Sequence, residues 1–215
     1  MSQPKTGLLG GTFNPVHRGH IELGLKIKDA FHLDSVLYIL SARPPHKKRQ
    51  ELPPAELRLA MLKAALQPHP GLRPCDLELR RQGYSWTIDT INELRSATPR
   101  ASFYFITGSE GFLKIRTWKE HRRLLREVFF IIVLRRSGHR LKVEKLLREE
   151  GIPLRRELSD PCPPPGAFLH SYASDYLELS ATAIRRQMSL GRDISPYVEK
   201  NVRKIMEEIK LYEEG

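Results

Sequence analysis

Five times in succession, a short apolar run in this chain is followed by a segment whose apolar residues recur at helical spacing. Thr6–Gly10 (TGLLG) precedes a helical pattern over Arg18–Phe31, with Ile21, Leu25 and Ile27 on one face. Ser35–Leu40 (SVLYIL) precedes Ala55–Leu66, where Leu59, Leu62 and Leu66 form a stripe. Leu72–Leu79 precedes Thr87–Ser96, Ser102–Thr107 (SFYFIT) precedes a short helix after Gly108, and Val128–Leu134 (VFFIIVL) precedes Leu141–Glu150. Continuous apolar strands alternating with helices predict an α/β chain: a doubly wound parallel sheet covered on both faces, with right-handed crossovers. In such sheets ligands bind where the strands end, so the residues just after each strand carry the functional signal.

The last third changes character. Ser159–Gly166 (SDPCPPPG) is a proline-rich breaker, and a short strand is predicted over Ala167–Tyr172. Ser180 reads as the cap of a helix reaching Met188. Ser195–Pro196 reads as the start of a final helix whose Val198, Val202, Ile205, Ile209 and Tyr212 recur every three or four residues. The expected organisation is one domain over residues 1–215, with a sheet core in 1–175 and a small C-terminal helical part in 176–215.

Composition removes several classes. With 215 residues and 40% in the apolar set, the chain has enough hydrophobic material to fold. Its two cysteines, Cys75 and Cys162, build neither a disulfide framework nor a four-thiolate zinc site. The longest apolar run has only strand length, so no membrane span is expected, and MSQPKTGLLGG lacks the apolar stretch of a signal peptide. A cytoplasmic location is the expectation. The net charge of +11 points to anionic partners without choosing among nucleic acid, membrane surface and phosphorylated small molecules.

The motifs choose. Between the first strand and first helix lies Gly10-Gly11-Thr12-Phe13-Asn14-Pro15-Val16-His17-Arg18-Gly19-His20. Gly10 and Gly11 permit close backbone approach at the strand end. The helix start carries roughly +0.5 of an elementary charge and free N–H groups, which suits phosphate. Gly19 leaves room for an anion, and His17 and His20, three apart, point to one side of the first turn as uncharged donors. This is neither the Lys-bearing phosphate loop nor the dinucleotide fingerprint. Far along the chain, Ser180-Ala181-Thr182-Ala183-Ile184-Arg185-Arg186 opens another helix. There a cap, the Thr182 hydroxyl and the Arg185 guanidinium can converge on one anion, although the motif alone equally describes a capped basic surface helix.

Together, GGTFNPVHRGH and LSATAIRR resemble the (H/T)xGH and ISSTxIR signatures of the nucleotidyltransferase superfamily, with Leu179 in place of Ile. Three further segments resemble the nicotinate mononucleotide adenylyltransferases: Pro44-Pro45-His46-Lys47, Ser85-Trp86-Thr87-Ile88-Asp89-Thr90 with Trp86 in place of Tyr, and Thr117-Trp118-Lys119. Phosphopantetheine adenylyltransferases and glycerol-phosphate cytidylyltransferases share the two phosphate signatures but lack the PPHK and TW pairing. The resemblance implies a Rossmann-like sheet and transfer of AMP from ATP to nicotinate mononucleotide, with release of pyrophosphate.

The resemblance also implies residue roles. His17, His20, Lys47 and Arg185 would be catalytic. Gly10, Gly11, Thr12, Phe13, Gly19, Gly108, Glu110, Arg135, Ser180 and Thr182 would join them in holding ATP. Asn14, His46, Lys47, Ser85, Trp86, Thr87 and Trp118 would hold the mononucleotide. Glu110 stands where the family usually has Asp, so its carboxylate must sit differently. Asp89 is read as a helix-start residue. Mg²⁺ is implied with ATP, bridging triphosphate oxygens and needing few protein ligands. No stable nucleic-acid partner is expected, since no strand interleaves aromatics for base stacking. A homo-oligomer remains open.

Overall fold

A computed structural model describes residues 3–45, 52–135, 138–156, 166–172, 174, 176, 179–209 and 211. Six strands form one all-parallel sheet in the order β3-β2-β1-β4-β5-β6. They are β1 (Lys5–Gly11), β2 (Ser35–Leu40), β3 (Leu72–Cys75), β4 (Ser102–Gly108), β5 (Phe129–Val133) and β6 (Gly166–His170). The helices are α1 (Arg18–Ala30), α2 (Ala55–Leu66), α3 (Thr87–Ala97), α4 (Ser109–Phe112), α5 (His121–Glu127), α6 (His139–Glu149), α7 (Ala181–Ser189) and α8 (Lys200–Glu208).

Side chains alternate across the sheet, as strand geometry requires. Leu9, Tyr38, Ile106 and Ile131 join the core beneath α1, α2, α7 and α8. Leu8, Ile39, Phe105 and Phe130 join the opposite core beneath α3, α5 and α6. All five residues of β5 are buried, which explains why this strand reads as an uninterrupted apolar run. Chain order runs outward from β1 to β3, then returns to β4 on the other side of β1. The reversal lies between β1 and β4, and their carboxyl ends, Gly11 and Gly108, flank the crevice it creates.

Two predicted elements differ. The strand expected over Leu72–Leu79 stops at Cys75, and Leu77–Leu79 forms a 3₁₀ turn that buries Glu78. Ser195–Pro196 does not start the last helix. The Asp193 carboxylate accepts from the Ser195 N–H at 2.8 Å and from its hydroxyl at 2.7 Å, a turn forms, and α8 begins only at Lys200. The C-terminal part is bound to the start of α1: the Arg18 N–H donates to the Tyr197 carbonyl at 2.8 Å. Val202 and Met206 share a core cluster with α1 and α2.

Candidate active site

A cavity of about 370 Å³ opens at the carboxyl ends of β1 and β4. Of the residues singled out from sequence, Gly10, Gly11, Thr12 and His20 line it at the β1–α1 end. Gly108 and Arg135 line it at the ends of β4 and β5, and Ser85, Trp86, Thr87 and Trp118 from the loops beyond. His46 and Lys47 lie outside the described residues. A larger hollow of about 1030 Å³ is bounded by Pro44, Pro45, Leu52 and Pro53; among the described residues, none of the predicted site residues lines it.

The imidazoles of His17 and His20 lie face to face, ring centroids 3.7 Å apart and planes inclined by 34°. His17 is the cap residue of α1, in extended conformation, and its N–H donates to Nδ1 of His20 at 3.3 Å. Because Nδ1 accepts, a neutral His20 carries its proton on Nε2. Nδ1 of His17 is buried without a hydrogen-bond partner. Burial, reinforced by the Arg135 charge, lowers the His17 pKa to about 4. Burial, then His17, then Arg135 hold His20 well below the usual imidazole range. Both rings are therefore neutral near pH 7, and their donors add no fixed charge.

Phe13 does not line the cavity. It is buried beneath it with φ +44°, its ring edge-on to His20 at 5.1 Å. The glycines acquire distinct reasons. A Cβ at Gly11 would stand 3.0 Å from the Phe13 ring, whereas one at Gly10 would meet only ordinary contact. At Gly19 a Cβ would come within 2.9 Å of the Tyr176 carbonyl oxygen. The structure thus places backbone beside Gly19, where the sequence suggests room for an anion.

Arg185 joins the two ends of the chain. Its Nη1 donates to the Asn14 carbonyl at 2.8 Å and its Nη2 to the Thr182 hydroxyl at 3.3 Å. Ser180 caps α7, its hydroxyl oxygen accepting from the Ala183 N–H at 3.1 Å. The Asn14 side chain is buried away from the cavity, and its carbonyl anchors Arg185. Glu110 folds back toward Gly108, with Oε2 3.2 Å from the place a Cβ would take there. That return is the geometry an extra methylene permits.

The far end of the cavity is aromatic. Trp118 packs edge-on against Phe105 at 5.6 Å while still lining the cavity, so it is both core and wall. Lys119 beside it pairs with Asp89 in the first turn of α3, at 3.0 and 3.1 Å. Asp89 is therefore more than a helix-start residue. Ser85 bridges to Arg43 in both directions at 3.0 Å, by its hydroxyl and its N–H. Glu78 also lines the cavity and accepts from Thr90 at 2.7 Å. Sequence reading missed Glu78, because only its burial distinguishes it from the surrounding charged residues.

The sequence model of the cytidylyltransferase-like family matches residues 8–187. A probable nicotinate-nucleotide adenylyltransferase of Geobacter metallireducens is 34% identical over 214 residues, 97% of this chain and 98% of that one. Another, from Desulfatibacillum aliphaticivorans, is 35% identical over 220 residues, 97% and 99% of the two chains. This chain belongs to the nicotinate-nucleotide adenylyltransferase family. The fold agrees with solved relatives. A Plasmodium falciparum nicotinic acid mononucleotide adenylyltransferase complexed with NaAD superposes with a TM-score of 0.76 at 19% identity, covering 97% of each chain. For a putative nicotinate-nucleotide adenylyltransferase of Vibrio parahaemolyticus the TM-score is 0.63 at 19% identity, over 99% and 97%. No helix among the described residues of this adenylyltransferase family member is long and apolar enough to cross a membrane.

Proposed function

We infer that this protein transfers the adenylyl group of ATP to nicotinate mononucleotide, giving nicotinate adenine dinucleotide and pyrophosphate for NAD synthesis. The observation that most supports a phosphate-handling role for these residues is the Arg185–Asn14 bond. It ties Arg185 of α7 to the loop that leads into His17 and His20, which supports a site where two helix amino ends act on one anion.

In this reading the 5′-phosphate of the mononucleotide attacks the α-phosphorus of ATP in line, and pyrophosphate leaves. The nucleophile is already a phosphate anion, so the protein supplies position and donors rather than a nucleophile. His20 Nε2–H donates to the α-phosphate, where charge accumulates, and His17 assists. Gly10, Gly11, Thr12 and the α1 amino end form the bed of the triphosphate, with Phe13 supporting it from below. Arg185, Thr182 and Ser180 hold its distal phosphates. Gly108, Glu110 and Arg135 face the adenosine side. Ser85, Trp86, Thr87 and Trp118 receive the mononucleotide, its pyridine ring against Trp118. His46 and Lys47 complete its phosphate site.

Among the described residues no group of three or more His, Cys, Asp or Glu could hold a metal ion. The donors at α1 are imidazoles, whereas Mg²⁺ prefers oxygen. Both facts fit a Mg²⁺ that arrives on the triphosphate with phosphate and water ligands. Bound there, it would neutralise charge on ATP. The protein is proposed to work in the cytoplasm, as a single domain over residues 1–215, without nucleic acid or membrane; a homo-oligomer is compatible with this scheme.

The experiment is pyrophosphate release from ATP plus nicotinate mononucleotide, with nicotinamide mononucleotide as competitor. Release that depends on the nicotinate substrate is expected. Absence of release would overturn the reading, and preference for the amide would overturn the substrate assignment.

A further inference from the structure

Arg58 is the largest fully buried side chain among the described residues, 1% exposed, in the first turns of α2. Nothing in its neighbourhood of sequence, AELRLAML, distinguishes it from a solvated helix arginine. A guanidinium is kept in a protein interior only where its donors are used. Here every donating nitrogen meets a backbone carbonyl. Nε donates to Pro53 at 3.1 Å, Nη1 to Thr12 at 2.9 Å and to Ser41 at 2.8 Å, and Nη2 to Ala42 at 3.1 Å.

Those acceptors belong to three separate stretches of chain. Thr12 is the first residue beyond β1, in the loop leading to His17 and His20. Ser41 and Ala42 follow β2 and lead into Arg43-Pro44-Pro45. Pro53 precedes α2. The last sheet-like bond between the two exits is the Ser41 N–H to the Gly11 carbonyl, 2.8 Å. Beyond it no strand pairing fixes how far apart the two loops run, and Arg58 bonds both of them one residue further on. Gly11, Thr12, Ser41, Pro44 and Pro45 all line the cavity, whereas Arg58 does not; it grips that wall from behind.

We propose that Arg58 is a positioning residue that sets the separation between the loop after β1 and the loop after β2, and thereby the approach of the two reacting phosphates. This rests on the adenylyl-transfer reading above, which assigns ATP to the first loop and the mononucleotide to the second. In-line attack needs both phosphates in register at once, whereas binding either one alone does not. The planar fork matters as much as the charge. A lysine ammonium presents three donors from a single point and cannot span carbonyls from both loops as Arg58 does.

The test is Arg58→Lys, with Arg58→Gln as a second variant, each shown to be folded by circular dichroism at the assay temperature. The expected result is a fall in kcat of about tenfold to a hundredfold, with the KM of each substrate within about threefold of the parent. A kcat at the parent's level would overturn the proposal, as would a loss carried wholly by a higher KM for ATP. Amide exchange supplies a readout independent of turnover. Exchange at Ser41 should quicken in both variants while Ile131, in the middle of β5, keeps its protection. Unchanged Ser41 exchange, or equal loosening at both sites, would overturn the positioning role. Should the parent protein itself release no pyrophosphate, the reading of its function fails, and the Ser41 exchange still decides what Arg58 does.

Discussion

The His17 N–H reaches Nδ1 of His20 across 3.3 Å, one arm of the capping box that opens the first helix, and leaves Nε2 of His20 as the donor at the cavity wall. A helix cap made by an imidazole works only while that imidazole is neutral. Burial keeps it so, with the His17 pKa lowered to about 4 and that of His20 lowered as well. Unfolded, both histidines would titrate near 6.5. Below that value the unfolded chain binds protons that the folded chain refuses, so stability must drop as pH falls. The window runs from about 6.5 to about 4, with little further loss from His17 below 4. The His17 shift alone corresponds to about 3 kcal/mol across it. Urea midpoints measured between pH 7 and 4 should decline, and the decline should be shallower in His17→Asn. An equal slope in that variant would contradict the burial argument.

His20→Ala should lose turnover far more than stability. The imidazole lies at the cavity wall, and the backbone of α1 does not depend on it beyond the cap. Loss of one aligned donor from a water-poor site costs about 10²–10³ in kcat. Loss of the cap bond costs about 1 kcal/mol. Steady-state rates and a thermal melt on the same preparation separate the two effects. A variant with parental kcat would remove His20 from the chemistry.

Gly19→Ala distinguishes two reasons for one glycine. If the residue is glycine only to admit an anion, the alanine variant binds ATP poorly and melts normally. The Cβ would meet the Tyr176 carbonyl at 2.9 Å, and backbone yields less readily than a side chain. The expected outcome is therefore a destabilisation of about 1–3 kcal/mol, read by chemical denaturation without nucleotide. An unshifted midpoint would restore the simpler reading.

The sheet was legible because buried parallel strands have no polar face to conceal them: SVLYIL matches β2 residue for residue, and Ala55–Leu66 matches α2 at both ends. The two histidines and Arg185 stood out in the sequence because each lies at the cap or in the first turns of a helix, and helix starts have local signals. Arg58 and Tyr176 were not, because their partners are remote. Four carbonyls from residues 12, 41, 42 and 53 converge on Arg58 only after the strands pair, and the tightness at Gly19 arises only because the remote Tyr176 carbonyl lies beside it. The failed cap at Ser195 has a nearer cause. Asp193, two residues earlier, accepts from both the N–H and the hydroxyl of Ser195 and holds it in a turn of its own, an Asx-type geometry that competes with helix initiation.

Asp89 offers the last prediction. Its carboxylate holds Lys119 at 3.0 Å, and Lys119 is the neighbour of Trp118. Both partners are partly exposed, 40% for Lys119 and 29% for Asp89, so the pair adds little to stability, about 0–1 kcal/mol. Its geometric effect is larger. The bond joins the segment after the 3₁₀ turn Ile115–Thr117 to the first turn of α3, and so ties Trp118 to the helix whose Thr87 also lines the cavity. Asp89→Asn should leave the melting temperature nearly unchanged. It should raise the KM for nicotinate mononucleotide several-fold while sparing the KM for ATP, whose phosphates are assigned to the opposite end. Equal increases in both KM values would show that the pair supports the whole sheet edge, and no change in either would show that Trp118 is held by Phe105 alone.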